Sequence, residues 1–160
     1  MSTSDSQRNA ILEALNRETR LSSTLTVLFS QAVAERLGVH STDVETLDLL
    51  NLMGPLTAGR LAELTGLTTG ATTRLIDRME RAGFAHRRPD PHDRRRVIVE
   101  WSAASAGRIM PLFEPLGRHL GELWQSYSDE ELALVLDFTR RTNEILSEEN
   151  QRLRLQGKFI

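Results

Sequence analysis

The 160-residue chain contains no cysteine. Disulfides, thiol nucleophiles and cysteine metal sites are therefore excluded. There is no run of about 18 apolar residues, so no membrane span is expected. The first residues, MSTSDSQRNAILEALNRE, lack the basic-then-apolar pattern of a secretory signal, and the expected compartment is the cytoplasm. A nucleophile elbow, a phosphate loop, a zinc-protease helix and a carboxylate pair are all missing. With no such constellation to rest on, no catalytic residue is assigned and the chain is not expected to be an enzyme. His40, His86, His92 and His119 are scattered. Asp90, His92 and Asp93 are close together, but three adjacent loop residues rarely close a coordination sphere. No metal or other cofactor is expected.

Charge is unevenly spread. The net charge is −2, yet Thr57 to Arg96 holds nine arginines against five acids, a balance of +4, and the remainder of the chain is −6. Basic runs are often plain solvated surface. Here the run falls on one pattern of elements, and a basic middle in an acidic frame fits a lobe that faces nucleic acid.

That pattern occupies Thr57 to Ser102. Thr57 is placed to cap a short helix with Leu61, Ala62 and Leu64 on its apolar side, and Gly66 to end it. Thr68 is placed to cap a second helix, and Gly83 to end that one. Thr72, Leu75, Ile76 and Met79 form its apolar stripe at 3.6-residue spacing. Gly70, Thr73, Arg74, Asp77 and Arg81 fall opposite. Gly70 weakens a helix, but it suits a helix start that must approach a phosphate or a base edge. Phe84 and Ala85 begin a strand that Pro89, Asp90 and Pro91 interrupt. Val97, Val99 and Trp101 alternate with Ile98 and Glu100 as a return strand. Helix, turn, helix and two strands around an arginine-rich loop make a winged helix-turn-helix. Such a unit fits duplex DNA, with the second helix in the major groove and the loop along the backbone or in the minor groove. The residues expected to meet DNA are Thr68, Thr69, Gly70, Thr73, Arg74 and Arg78 on the helix, and Asp93, Arg94, Arg95 and Arg96 on the wing. Arg74 has a blander alternative, an i, i+3 pair with Asp77. Arg78 has one too, as a surface charge.

The flanks read as long helices. Asp5 to Leu37 carries Ile11, Leu12, Leu15, Leu21, Leu25, Leu28, Phe29, Ala32 and Val33, and Gly38 ends it. Thr42 and Glu45 read as a capping box for a helix through Met53, closed by Gly54 and Pro55. Ser102 reads as the cap of the next, whose stripe is Ile109, Leu112, Phe113, Leu116, Leu120, Leu123 and Trp124. Pro111 and Pro115 lie inside it, so a bend or break is expected near Met110. Ser128 and Glu131 read as a capping box for a last helix to about Arg154. The first and last helices hold more apolar surface than one small winged lobe covers, which points to a partner. Trp101 and Trp124 lie on apolar stripes and read as core or interface.

The segment from Leu56 through Phe84, with the wing that follows, resembles the multiple-antibiotic-resistance regulator (MarR) family of bacterial transcription factors. The family wing pattern is Asp, any, Arg, Asp, any, Arg. This chain has Asp90, Pro91, His92, Asp93, Arg94 and Arg95; Asp93 and Arg95 match, and His92 stands in for the first basic residue. The likeness is strong over residues 42–102 and extends as a length and helix-pattern match over nearly the whole chain. It implies a mainly α fold with a small β-wing (α+β). Residues 42–102 form the winged helix-turn-helix, and residues 5–37 with 103–155 form a helical dimerisation region. It implies a homodimer on a pseudo-palindromic double-stranded DNA operator, acting as a repressor. It further implies that Arg95 enters the minor groove, oriented by Asp93. Finally it implies release by a small, often aromatic or anionic effector, for which Phe29, His40, Met53 and Met110 are the candidate lining. Without cysteine, thiol-based peroxide sensing is excluded. The alternative reading is a winged-helix protein-interaction module without specific DNA recognition; the wing arginines have no evident purpose in that role.

Overall fold

The computed structural model describes residues 3–93 and 95–156. Its elements are α1 (Thr3–Leu37), α2 (Ser41–Met53), β1 (Leu56–Thr57), α3 (Ala58–Thr65), α4 (Thr69–Arg81), β2 (Ala85–Pro89), β3 (Val97–Trp101), a 3₁₀ turn (Ala103–Ser105), α5 (Ala106–Trp124) and α6 (Asp129–Leu155). The chain divides into two compact units, residues 1–106 and 107–160.

In the first unit the core gathers Val44, Leu47 and Leu50 of α2, Leu61 of α3, Leu75, Ile76 and Met79 of α4, then Phe84, Ala85 and Val99, all buried. The 3.6-residue stripe read for α4 is the buried face observed, Thr72 included. The sheet has three strands in the order β1-β3-β2, all antiparallel. Two strands were expected. The extra one, β1, pairs Leu56 with Val99 and Thr57 with Ile98. Two residues are too few to show an alternating pattern, so sequence periodicity could not find it. Of β3, only Val99 is fully buried, because it sits mid-strand between both neighbours, while Val97 near the hairpin tip is exposed.

Three local expectations are corrected. The cap of α2 is His40 with Asp43, not Thr42 with Glu45: the Asp43 carboxylate accepts the His40 backbone N–H at 3.2 Å. Both pairs have a side chain suited to the box, but the chain leaves α1 through Gly38 in the left-handed region and turns helical sooner than Thr42. Phe84 is not in β2. Its N–H bonds to the Met79 carbonyl at 2.8 Å while Gly83, at φ 73°, bonds Glu80, a Schellman closure of α4. The Ser102 hydroxyl makes no cap bond; a 3₁₀ turn intervenes before α5, held by the Ser102 carbonyl.

In the second unit α5 runs unbroken past Pro111 and Pro115, so the break expected near Met110 does not occur. Each proline deletes one donor and crowds a carbonyl one turn back. Its fixed φ of about −65° is itself helical, so the chain continues. The Ser128–Glu131 box opens α6 as expected, with bonds of 2.8 and 3.3 Å. α6 holds no buried residue.

Candidate nucleic-acid interface

The α3–turn–α4 unit is closed by local chemistry. The Thr57 hydroxyl accepts the Arg60 N–H at 3.1 Å, and the Thr68 hydroxyl accepts the Ala71 N–H at 3.3 Å. Gly66 takes φ 72°, ψ 15°, and its N–H closes on the Ala62 carbonyl. α4 then begins with Thr68, Thr69, Gly70, Thr73 and Arg74 all exposed. These are one helix start and the face that follows it, where unsatisfied N–H groups favour a phosphate.

Asp77 does not pair with Arg74. It pairs with Arg87 of β2 at 2.7 Å. Arg87 also pairs with Glu80, gives its backbone N–H to the same carboxylate at 2.7 Å, and reaches the Thr73 carbonyl at 3.3 Å. Burial works against the Arg87 charge, but the bonds and charges of Asp77 and Glu80 outweigh it and raise the pKa. Arg74 is in no ion pair among the described residues, and its guanidinium folds toward Gly70: a Cβ there would lie 3.9 Å from Nη1. Arg78 has a different position. Its Nε and Nη2 bond the two Asp43 oxygens at 3.2 and 2.6 Å, and its side chain is 35% exposed while that of Asp43 is 1% exposed.

The wing is a hairpin between β2 and β3, in register from Ala85↔Trp101 to Pro89↔Val97. Two aspartates shape its tip. Asp90, nearly buried, accepts the His92 N–H at 2.8 Å, and Asp93 accepts the Arg95 N–H at 3.0 Å. The Asp93 carboxylate also meets Arg96 Nε at 3.4 Å. Asp93 thus fixes the Arg95 backbone rather than its guanidinium, which is in no ion pair among the described residues. Arg94 lies outside the described residues. Below the tip, Arg88 and His86 of β2 both reach Glu100 across the hairpin, and the hydrogen bond from Arg88 chiefly holds the Glu100 carboxyl below its usual range. A groove of about 540 Å³ runs between the start of α3 and the wing, lined by Thr57, Gly59, Arg60, Glu63, Arg95 and Arg96.

Sequence reasoning gave no role to Asp43 or Arg87. Arg78 stands 35 residues from Asp43, and Arg87 reaches back across the α4–β2 turn to Glu80, Asp77 and Thr73. The effector candidates fall on separate elements. Phe29 is half-buried on α1 and His40 is exposed. Met53 is at the far end of α2 from His40, roughly 20 Å by helical rise. Met110 belongs to the second unit. Among the described residues no cluster of His, Asp or Glu is arranged to hold a metal ion, and no helix is long and apolar enough to cross a membrane.

Residues 37–96 match the MarR family. An uncharacterized HTH-type transcriptional regulator of Bacillus subtilis strain 168, YcgE, is 46% identical over 131 residues, covering 82% of this chain and 85% of its own. The chain belongs to the MarR family. Its fold is shared with a mutant MepR from a multidrug-resistant S. aureus clinical isolate (TM-score 0.69, 17% identity, 82% of this chain and 96% of that one). It is also shared with a mutant MarR of E. coli complexed with operator DNA (TM-score 0.54, 21% identity, 81% and 93%). As a member of that family the chain is a transcriptional regulator and not an enzyme. The expected α+β winged-helix class is the one observed, with a small three-stranded sheet in a helical chain.

Proposed function

We propose that this MarR-family regulator is a cytoplasmic homodimer that binds a pseudo-palindromic double-stranded DNA operator and represses transcription until a small effector releases it. The observation that carries the DNA role is the state of Arg74. Asp77, its nearest acid on the helix, is held by Arg87, so the Arg74 guanidinium stands beside Gly70 on an open helix face. Arg to guanine is the commonest specific major-groove contact. Thr68 and Thr69 supply hydroxyls and helix-start N–H groups for phosphates, and Thr73, whose hydroxyl donates to the Thr69 carbonyl at 3.0 Å, lies on the same exposed face. Arg94, Arg95 and Arg96 supply the wing charge, with Asp93 shaping the turn that presents Arg95.

Residues 5–37 and 103–155 carry the dimer, and residues 42–102 carry the DNA contacts. Support for the dimer is the exposed apolar surface of the long helices. Ile11, Leu12, Leu15, Leu21, Leu25 and Leu28 of α1 are each 46–60% exposed, and Leu134, Val135, Leu136, Phe138, Ile145 and Leu146 of α6 are 47–69% exposed. Such surface is costly in water and marks association. A two-fold pair would set two α4 helices about one DNA turn apart, ~34 Å. For the effector, Phe29, His40, Met53 and Met110 remain the candidate wall residues that the family resemblance implies. Selection of genomic fragments by the purified protein tests the function. A single enriched palindromic site supports it. Binding without any preferred sequence, collapsing with salt, would instead mark a protein-interaction module.

A further inference from the structure

Asp43 is the most deeply buried charge among the described residues of the first unit, and its hydrogen bonds tie the entry of α2 to α4. Its carboxylate accepts the His40 N–H at 3.2 Å, which closes the start of α2. The same carboxylate takes both arms of the Arg78 fork from α4. The neighbouring buried hydroxyl does not compete for it, since Thr46 bonds the Thr42 carbonyl at 2.7 Å. Elsewhere α4 packs chiefly on α3 and β2, and α2 chiefly on α1, α3 and β3. The Asp43–Arg78 pair therefore links two helices whose backbones are mainly supported by other neighbours. Arg78 lies one turn beyond Arg74 on α4, so its anchor bears directly on the face that Arg74 presents.

We propose, resting on the DNA-binding role given to α4 above, that Asp43 and Arg78 are positioning residues: their bidentate pair sets the tilt of α4, and Arg78 makes no DNA contact of its own. A bidentate Arg–carboxylate pair fixes direction as well as distance, and a lysine in its place supplies charge without the fork. A phosphate contact and an internal anchor differ in what salt does. Losing a phosphate contact flattens the dependence of log K on log salt by about one unit; losing an anchor weakens binding at an unchanged slope.

The test measures operator affinity and salt slope for full-length wild type, D43N, R78K, R78M and the D43N/R78K pair. The DNA is a fragment selected by the wild type, and the temperature is one at which circular dichroism shows each protein native. R78K keeps the charge and leaves the test open if D43N does not fold. The expected result is a loss of at least about tenfold for D43N and for R78K, with the wild-type slope, and a double variant no weaker than the weaker single. Native variants with full affinity would overturn the proposal and leave the pair a role in stability alone. So would full affinity in R78K combined with a slope loss of about one unit per protomer in R78M, the mark of a phosphate contact. If the wild type itself selects no fragment, the DNA-binding role fails before the variants are compared.

Discussion

Arg87 on β2 and Asp77 on α4 are joined at 2.7 Å, and the same guanidinium reaches Glu80 and the Thr73 carbonyl. One arginine thus fastens the base of the wing to the side of α4. Its side chain is 28% exposed, against 43% for Asp77, so the pair is discounted for solvent. Arg87→Ala is expected to destabilise the protein by roughly 1–2 kcal/mol, between an exposed and a buried pair. Urea denaturation checks this. A midpoint unchanged from wild type would mean the fastening is without effect.

Gly70 sets stability against function. It lies in the first turn of α4, with φ in the ordinary range and space for a Cβ. Gly70→Ala is expected to stabilise the fold by about 0.5–1 kcal/mol, the helical cost of glycine. Operator affinity is expected to fall, because the added methyl occupies the proposed point of closest approach to DNA. Denaturation and fluorescence-anisotropy titration read the two effects separately. A variant that is more stable and binds as tightly would remove the close-approach argument.

Arg95→Ala is expected to weaken binding to every DNA sequence and to lower the salt slope by about one unit in each protomer. The Arg95 N–H is held by Asp93 at 3.0 Å while its side chain is exposed. The removal therefore leaves the turn in place and takes only the charge. Equal slopes for the variant and wild type would exclude a backbone or groove contact.

Much of this architecture is local in origin. The caps Thr57, Thr68 and Ser128, the closing glycines Gly66 and Gly83, and the buried stripe Thr72–Leu75–Ile76–Met79 depend on neighbours within one or two turns, and sequence order displays such neighbours directly. What escaped is nonlocal. β1 owes its existence to β3, more than forty residues on. Asp43 caps α2 in place of a nearby Thr–Glu pattern, and its other partner, Arg78, is 35 residues on. The prolines of α5 mislead in the other direction, since intrinsic propensity is a weak prior beside a continuous helix. The wing arginines were legible as charge, but which of them would be tied to Asp77, Glu80 or Glu100 was not.

Deleting α6 from Ser128, or residues 1–20, is expected to remove the proposed dimer contact. Apolar residues such as Leu25 on α1 and Ile145 on α6 are 55% and 61% exposed. Sedimentation should then show monomer or aggregate, and the DNA footprint should shrink to one half-site or vanish. A truncated protein that stays dimeric with full operator affinity would refute the interface.

The measurement that bears most directly on the proposed function is selection of bound sequences from a DNA pool by wild type and by Arg74→Ala. Wild type is expected to enrich two inverted half-sites centred about one helical turn, ~34 Å, apart. Arg74→Ala is expected to keep the spacing and lose preference at one position per half-site, on the order of 1–3 kcal/mol per contact. An enriched site that is identical for the two proteins, or no enriched site for wild type, would contradict the assignment of α4 as the helix that reads the operator.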